Sequence, residues 1–203
     1  MKPSYYRLAC AVLVFINAII LVKMQSVLNE RDDCLAESVI HKIFFEKTKV
    51  ENENENSQFN KALPITLLSG ETILSEDVFS QRKIIFRFST INCSACVDNE
   101  IETLINEIHK NPNLSSNICL LISHSNISEV IEISRRLYSS SIHLPIYLIP
   151  LNGLNVPLEE QNIPFYFTVD ENNSMNNFMI PIKEKPEWTI SYLNSLRRNF
   201  LLK

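Results

Sequence analysis

The chain carries five cysteines, at positions 10, 34, 93, 96 and 119, and two of them, Cys93 and Cys96, enclose Ser94 and Ala95. Thiols at that spacing stand one helical turn apart, so their sulfurs can reach bonding distance. A mixed disulfide formed at one can then be released by attack from the other. The flanking residues supply the setting such chemistry needs. Lys83-Ile84-Ile85-Phe86-Arg87-Phe88 reads as a central strand from its β-branched and aromatic content. After the pair, Val97, Ile101, Leu104, Ile105 and Ile108 recur at helical spacing as far as Asn111-Pro112. The first sulfur thus falls at a helix N-terminus, where unpaired backbone N–H groups and the positive end of the macrodipole favour thiolate over thiol.

Other chemistries find less in the chain. His41, His109, His124 and His143 are dispersed, and none stands at metal-ligand spacing from the dithiol. No second cysteine pair is present to complete a structural zinc site, so neither metal nor cofactor is expected. The only glycines are Gly70 and Gly153, which leaves no way to write a G-x-G-x-x-G or P-loop phosphate cradle. A formal charge of −4 gives no basic stripe, so nucleic acid is not an expected partner. Cys10 lies within an apolar run and reads as a small apolar residue. For Cys34 an idle or buried thiol is favoured over a bridge between two copies. Asn113, Asn126 and Asn172 head N-x-S sequons, ordinary in a chain so rich in asparagine.

The elements that must position the dithiol follow three segments. Residues 1–25 read as a membrane anchor: Leu8 to Val22 is apolar except for Asn17, with Lys2 and Arg7 before it and Lys23 after. Lys23-Met24-Gln25-Ser26-Val27 offers no small-residue cleavage pattern, so the anchor is expected to stay attached. The positive charges ahead of it place the tail in the cytoplasm and the rest of the chain across the membrane. Residues 26–60 are expected to hold a membrane-proximal helix capped by Asp32 or Asp33, carrying Leu35, Val39 and Ile43 on one face. That helix is expected to dissolve into a polar linker, Glu51-Asn52-Glu53-Asn54-Glu55-Asn56. Residues 61–203 alternate strand-like and helix-like runs, which argues one α/β domain. A hairpin is expected over Pro64–Leu68 and Thr72–Leu74, and strands over 83–88, 117–123, 146–149, 165–170 and 177–182. Helices are expected after Cys96, over 127–137 and over 186–201.

The segment Ile84 to Leu104, IIFRFSTINCSACVDNEIETL, resembles the active-site strand, loop and helix of the thioredoxin-like superfamily. The upstream hairpin Leu63 to Lys83 is similar to the entry of its TlpA/ResA branch, membrane-anchored thiol-disulfide oxidoreductases. Ile163-Pro164-Phe165-Tyr166-Phe167 is similar to that family's cis-proline and following strand. The likeness covers about 140 residues and implies a central mixed β-sheet flanked by α-helices. It further implies that Cys93 is the attacking thiolate and Cys96 the resolving thiol. Pro164 would be cis and would turn the backbone of Ile163 toward an extended substrate segment. The partners implied are protein disulfides, a membrane electron donor and, through the N-terminal helix, the membrane. The location implied is single-pass in the cytoplasmic membrane, with the domain facing the periplasm or cell exterior.

Three positions depart from the family pattern: Asn92 before the first cysteine, Ser94-Ala95 inside the motif, and Arg87 where a buried acid or asparagine is usual. Arg87 either faces the pair, where a guanidinium favours thiolate, or points to an edge. Those departures motivate a rival reading, a binding module that kept the fold without turnover. Thr90-Ile91-Asn92-Cys93 also resembles the T-x-x-C of peroxiredoxins, but Phe86 stands where their loop-opening proline would be, which makes a peroxidase the most distant reading.

Overall fold

A computed structural model describes residues 23, 25, 47–91, 94–123 and 127–200. Of the expected anchor this includes Lys23 and Gln25, both helical; the apolar run 8–22 and the helix expected near Cys34 lie outside the described residues. Among the described residues no helix is long and apolar enough to cross a membrane. The fold set out below is that of one compact unit, Lys49–Lys203.

Helix α1 is followed over residues 47–54. Then come β1 (Ser57–Gln58), β2 (Pro64–Leu67), β3 (Thr72–Leu74), the single turn α2 (Ser75–Val78), β4 (Lys83–Ser89) and α3 (Ser94–Lys110). A 3-10 turn at Pro112–Leu114 leads to β5 (Ile118–Ser123), α4 (Ile127–Ser139) and β6 (Ile146–Ile149). A second 3-10 turn, Pro157–Gln161, precedes β7 (Phe165–Val169), β8 (Ser174–Met179) and α5 (Pro186–Asn199). The strands form one sheet in the order β1-β8-β7-β4-β5-β6-β2-β3. β4 runs parallel to β5 and β5 to β6, while the remaining pairs are antiparallel. This is the mixed sheet with flanking helices that the sequence led us to expect.

Strand β4 is central: every residue after Lys83 is buried, and Ile84, Ile85, Phe86 and Phe88 make an apolar run covered on both faces. Ile84, Phe86 and Phe88 pack with Val97, Ile101, Leu104 and Ile108 of α3, with Val130, Ile133 and Leu137 of α4, and with Leu193 and Leu196 of α5. Two successive β-α-β crossovers with parallel strands carry α3 and α4 to the same face, as the preferred crossover hand requires. On the opposite face Ile85 joins an aromatic layer of Phe59, Phe79, Phe165, Phe167 and Phe178. Phe167 and Phe178 stack there with ring centroids 5.5 Å apart. Each such side chain, fully buried, contributes about 1.5–3 kcal/mol through surface removed from water.

The polar run 51–56, expected as a linker, packs against the sheet instead, bonding backbone groups of β8 and Ile180 through its side chains. Residues 51–54 are helical, so Glu51 and Glu55 fall on one face, four positions apart. The Glu55 carboxylate accepts the N–H groups of Asn177 (3.0 Å) and Phe178 (2.9 Å), and Glu51 accepts that of Ile180 (2.7 Å). Asn54 is wholly buried and accepts the N–H of Leu158 at 3.2 Å. The run thereby covers donors along β8 that would otherwise form an open sheet edge. A second difference concerns β8, which spans 174–179 rather than 177–182. Asp170 Oδ1 accepts the N–H groups of Asn172 and Ser174, both at 2.9 Å, and Asn173 takes a left-handed φ of 61°. That tight reversal starts the strand early, and Pro181, lacking an N–H, cannot extend it.

Candidate dithiol site

The site forms where β4 hands over to α3. The strand ends at Ser89, Thr90 donates its N–H to the Ser123 carbonyl at 3.1 Å, and α3 starts at Ser94. Cys96 therefore stands in the first turn of α3, partly buried, while Ser94 and Ala95 are exposed. Asn92 and Cys93 lie outside the described residues. The positive end of the helix macrodipole makes the place electropositive. Ile91, just ahead of the dithiol, is 53% exposed, a large apolar side chain presented to solvent beside it.

The expected substrate-binding pair, Ile163 and Pro164, stands just before β7. The antiparallel register pairs Arg87 with Phe165. Ile163 and Pro164 immediately precede Phe165, which pairs two residues before the end of β4. Pro164 is buried and Ile163 partly so. The expected cis peptide is not found: the Ile163–Pro164 bond is trans. The chain reverses one residue earlier, at Asn162, whose φ of 50° is left-handed and whose N–H bonds the Glu159 carbonyl at 3.2 Å. With the reversal made there, the prolyl bond enters β7 as the commoner isomer.

Arg87 adopts neither expected placement. Its side chain is fully buried on the sheet face opposite α3, among the aromatic layer. Nη2 donates to Glu159 Oε1 and to Ser123 Oγ, each at 3.1 Å, and the guanidinium lies over the Phe165 ring at 5.4 Å. Glu159 in turn accepts, at Oε2, the N–H groups of Leu154 (2.8 Å) and Asn155 (3.0 Å). Burial pushes the Glu159 carboxyl up and lowers Arg87, and each partner's charge opposes the shift of the other. The positive charge is therefore balanced where it sits. Sequence reading missed Glu159 because its partner lies 72 residues away.

A second buried acid also escaped sequence reading. Glu100 is four residues beyond Cys96 in α3, hence on the same helix face, and only 1% exposed. Burial raises its carboxyl above the ordinary value, opposed by the nearby hydroxyls of Tyr166 and Thr189. Glu100 Oε1, Tyr166 OH and Thr189 Oγ1 are all buried, and none has a partner in good hydrogen-bond geometry. An acid embedded in an apolar stripe was the available signal: Val97, Glu100, Ile101 and Leu104 share the core face of α3. Cys119 is a buried thiol in β5 that burial pushes up to about 12, which removes it as a nucleophile near neutral pH. Among the described residues no cluster of histidine, cysteine or acidic side chains could hold a metal ion.

No family model matches the chain, and no curated protein does. Solved structures are similar at low identity. A thioredoxin-like protein of Porphyromonas gingivalis matches with a TM-score of 0.47 at 18% identity, over 70% of this chain and 94% of its own. A thiol:disulfide interchange protein of a Bacteroides species gives 0.45 at 11%, over 71% and 94%. A secreted disulfide oxidoreductase of Mycobacterium tuberculosis gives 0.45 at 8%, over 66% and 96%. At such distance the architecture is best argued from this chain's own strand order. A parallel β-α-β unit carries the dithiol, and an antiparallel β7–β8 pair and a closing helix follow it, a thioredoxin-like arrangement.

Proposed function

We propose that the chain is a membrane-anchored thiol-disulfide oxidoreductase acting on protein disulfides outside the cytoplasm. The observation that carries the reading is the strand-to-helix handover, which puts Cys96 in the first turn of α3 directly after the central strand. Cys93 as thiolate attacks one sulfur of a substrate disulfide, forming a mixed disulfide and releasing the other sulfur as thiolate. Cys96 then loses its proton and attacks Cys93 Sγ, so the second substrate sulfur departs reduced and the protein holds the disulfide. Two electrons pass to the substrate, and a membrane electron donor must restore the dithiol. Ile163 and Pro164, at the start of β7, would bind the extended substrate backbone beside the pair. The apolar run 8–22 would be the anchor, with the domain facing the periplasm or cell exterior.

Trapping tests this. With Cys96→Ser the mixed disulfide cannot resolve, so partner proteins should accumulate on Cys93 and be released by a reductant. A trap as empty as that of Cys93→Ser would defeat the proposal.

A further inference from the structure

A cavity of about 170 Å³ opens on the β5 side of β4, the side away from Ile163 and Pro164. Its floor is largely apolar: Phe88 of β4, Val97 of α3 and Ile133 of α4, all buried, with Ser89 and Thr90 beside them. Its rim is charged: Asp98 of α3, ion-paired to Arg136 of α4, and the exposed Glu132. Ser94, the first residue of α3, also lines it, so the cavity opens at the helix start. A space of roughly 150 Å³ lined by apolar side chains suffices to hold a benzene. This cavity therefore takes one side chain of leucine or phenylalanine size. Asp98 and Arg136 neutralise each other. Glu132 has no ion-pair partner among the described residues, so the rim keeps one uncompensated negative charge.

Resting on the oxidoreductase reading, we propose that this cavity is a specificity pocket for substrate polypeptides carrying a large apolar residue followed or preceded by a lysine or arginine, close to the cysteine under attack. The apolar side chain leaves water against Phe88, Val97 and Ile133, and the cation settles against Glu132. A substrate whose backbone lies along Ile163 and Pro164 crosses the dithiol to reach the pocket. The selecting residue therefore sits on the far side of the substrate cysteine from the segment held by β7.

The test uses the full chain, reduced beforehand, in single turnover against short peptides whose one cysteine is disulfide-linked to glutathione. Each reaction converts protein dithiol to protein disulfide and yields peptide thiol plus glutathione, so the two electrons are accounted for. The peptides carry Leu-Lys, Leu-Glu, Ser-Lys or Ser-Glu beside the cysteine, on either side of it. Leucine should react on the order of tenfold faster than serine, and lysine about two- to fivefold faster than glutamate. Glu132→Lys should invert the charge preference. Ile133→Phe, which fills the cavity, should erase the leucine preference; should it not fold, the exposed Glu132→Lys still decides. Equal rates for all peptides, with glutathione disulfide still reduced, overturn the pocket alone. If nothing is reduced, the oxidoreductase reading falls, and binding of the same peptides with serine for cysteine settles the pocket. A preference for Leu-Lys that Glu132→Lys reverses upholds it, and its absence overturns it.

Discussion

Two carboxyls are buried on opposite faces of one sheet, and the fold treats them in opposite ways. Glu159 receives a guanidinium and two backbone N–H groups, so its charge is met on both oxygens. Glu100 is as deeply buried, yet its nearest polar neighbours are two hydroxyls, and Oε1 pairs with neither in good geometry. The cost of burying a charge falls steeply when hydrogen bonds and a counter-charge replace water. Glu159 is accordingly held on both oxygens and ties β4 to the 3-10 turn before β7. Glu100 is a group whose protonation the fold leaves free to change, on the helix face that Cys96 shares.

The strongest way to break this contrast is to strand one member of the ion pair. Glu159→Leu leaves the Arg87 guanidinium buried without a counter-ion, and loss of one partner of a buried pair typically costs about 3–5 kcal/mol. Denaturant unfolding should show a loss of that size. Arg87→Met combined with Glu159→Leu should recover most of it, because the uncompensated charge is then gone. A double variant no more stable than Glu159→Leu would mean that Glu159 acts through the Leu154 and Asn155 N–H groups and not through the pair.

A milder perturbation asks whether a carboxylate serves equally well nearer solvent. Glu55 accepts two backbone N–H groups, as Glu159 does, but it is only half-buried, and among the described residues no guanidinium pairs with it. Hydrogen bonds to charged groups contribute about 1.5–3 kcal/mol at most, and water can reach donors exposed on β8. Glu55→Ala should therefore cost about 1–2 kcal/mol. Hydrogen exchange should quicken at Asn177 and Phe178 and stay unchanged in β4. Unchanged exchange at those two amides would remove the covering role assigned to the run.

What the sequence made legible follows the same division between local and distant causes. The order of strands and helices after residue 61 could be read because β4, β5 and β7 are apolar runs and α3 carries its core residues at helical spacing. The dithiol's place at a helix start could be read from adjacent residues alone. The roles of Glu51 and Glu55 could not, because a Glu-Asn alternation looks like solvent-loving linker until the backbone donors of β8, some 120 residues on, are brought beside it. Glu159 was hidden likewise, since nothing near it in sequence announces Arg87. The trans peptide before Pro164 turned on Asn162, whose left-handed turn replaces the expected cis bend. The family resemblance carried no signal of that residue.

The finest discrimination concerns Glu100, where sign matters more than size. Its carboxyl is raised in the folded protein above its ordinary value of 4.5. Its contribution to stability is thus fully present below about pH 4.5 and is lost as pH rises through the raised value. Glu100→Gln cannot ionise, so it should flatten that segment of the pH–stability curve and leave the protein more stable at neutral pH. Burial raises the Glu159 carboxyl too, but Glu159→Gln should destabilise the protein, because it leaves the Arg87 guanidinium without its counter-charge. The same substitution speaks to Cys96, one turn earlier in α3. An ionised carboxylate at that spacing disfavours thiolate. In a Cys93→Ser background, alkylation of Cys96 should therefore set in at lower pH once Glu100 is Gln, an effect a purely structural acid would not produce. Coincident alkylation profiles would reduce Glu100 to a buried carboxyl with no bearing on the dithiol.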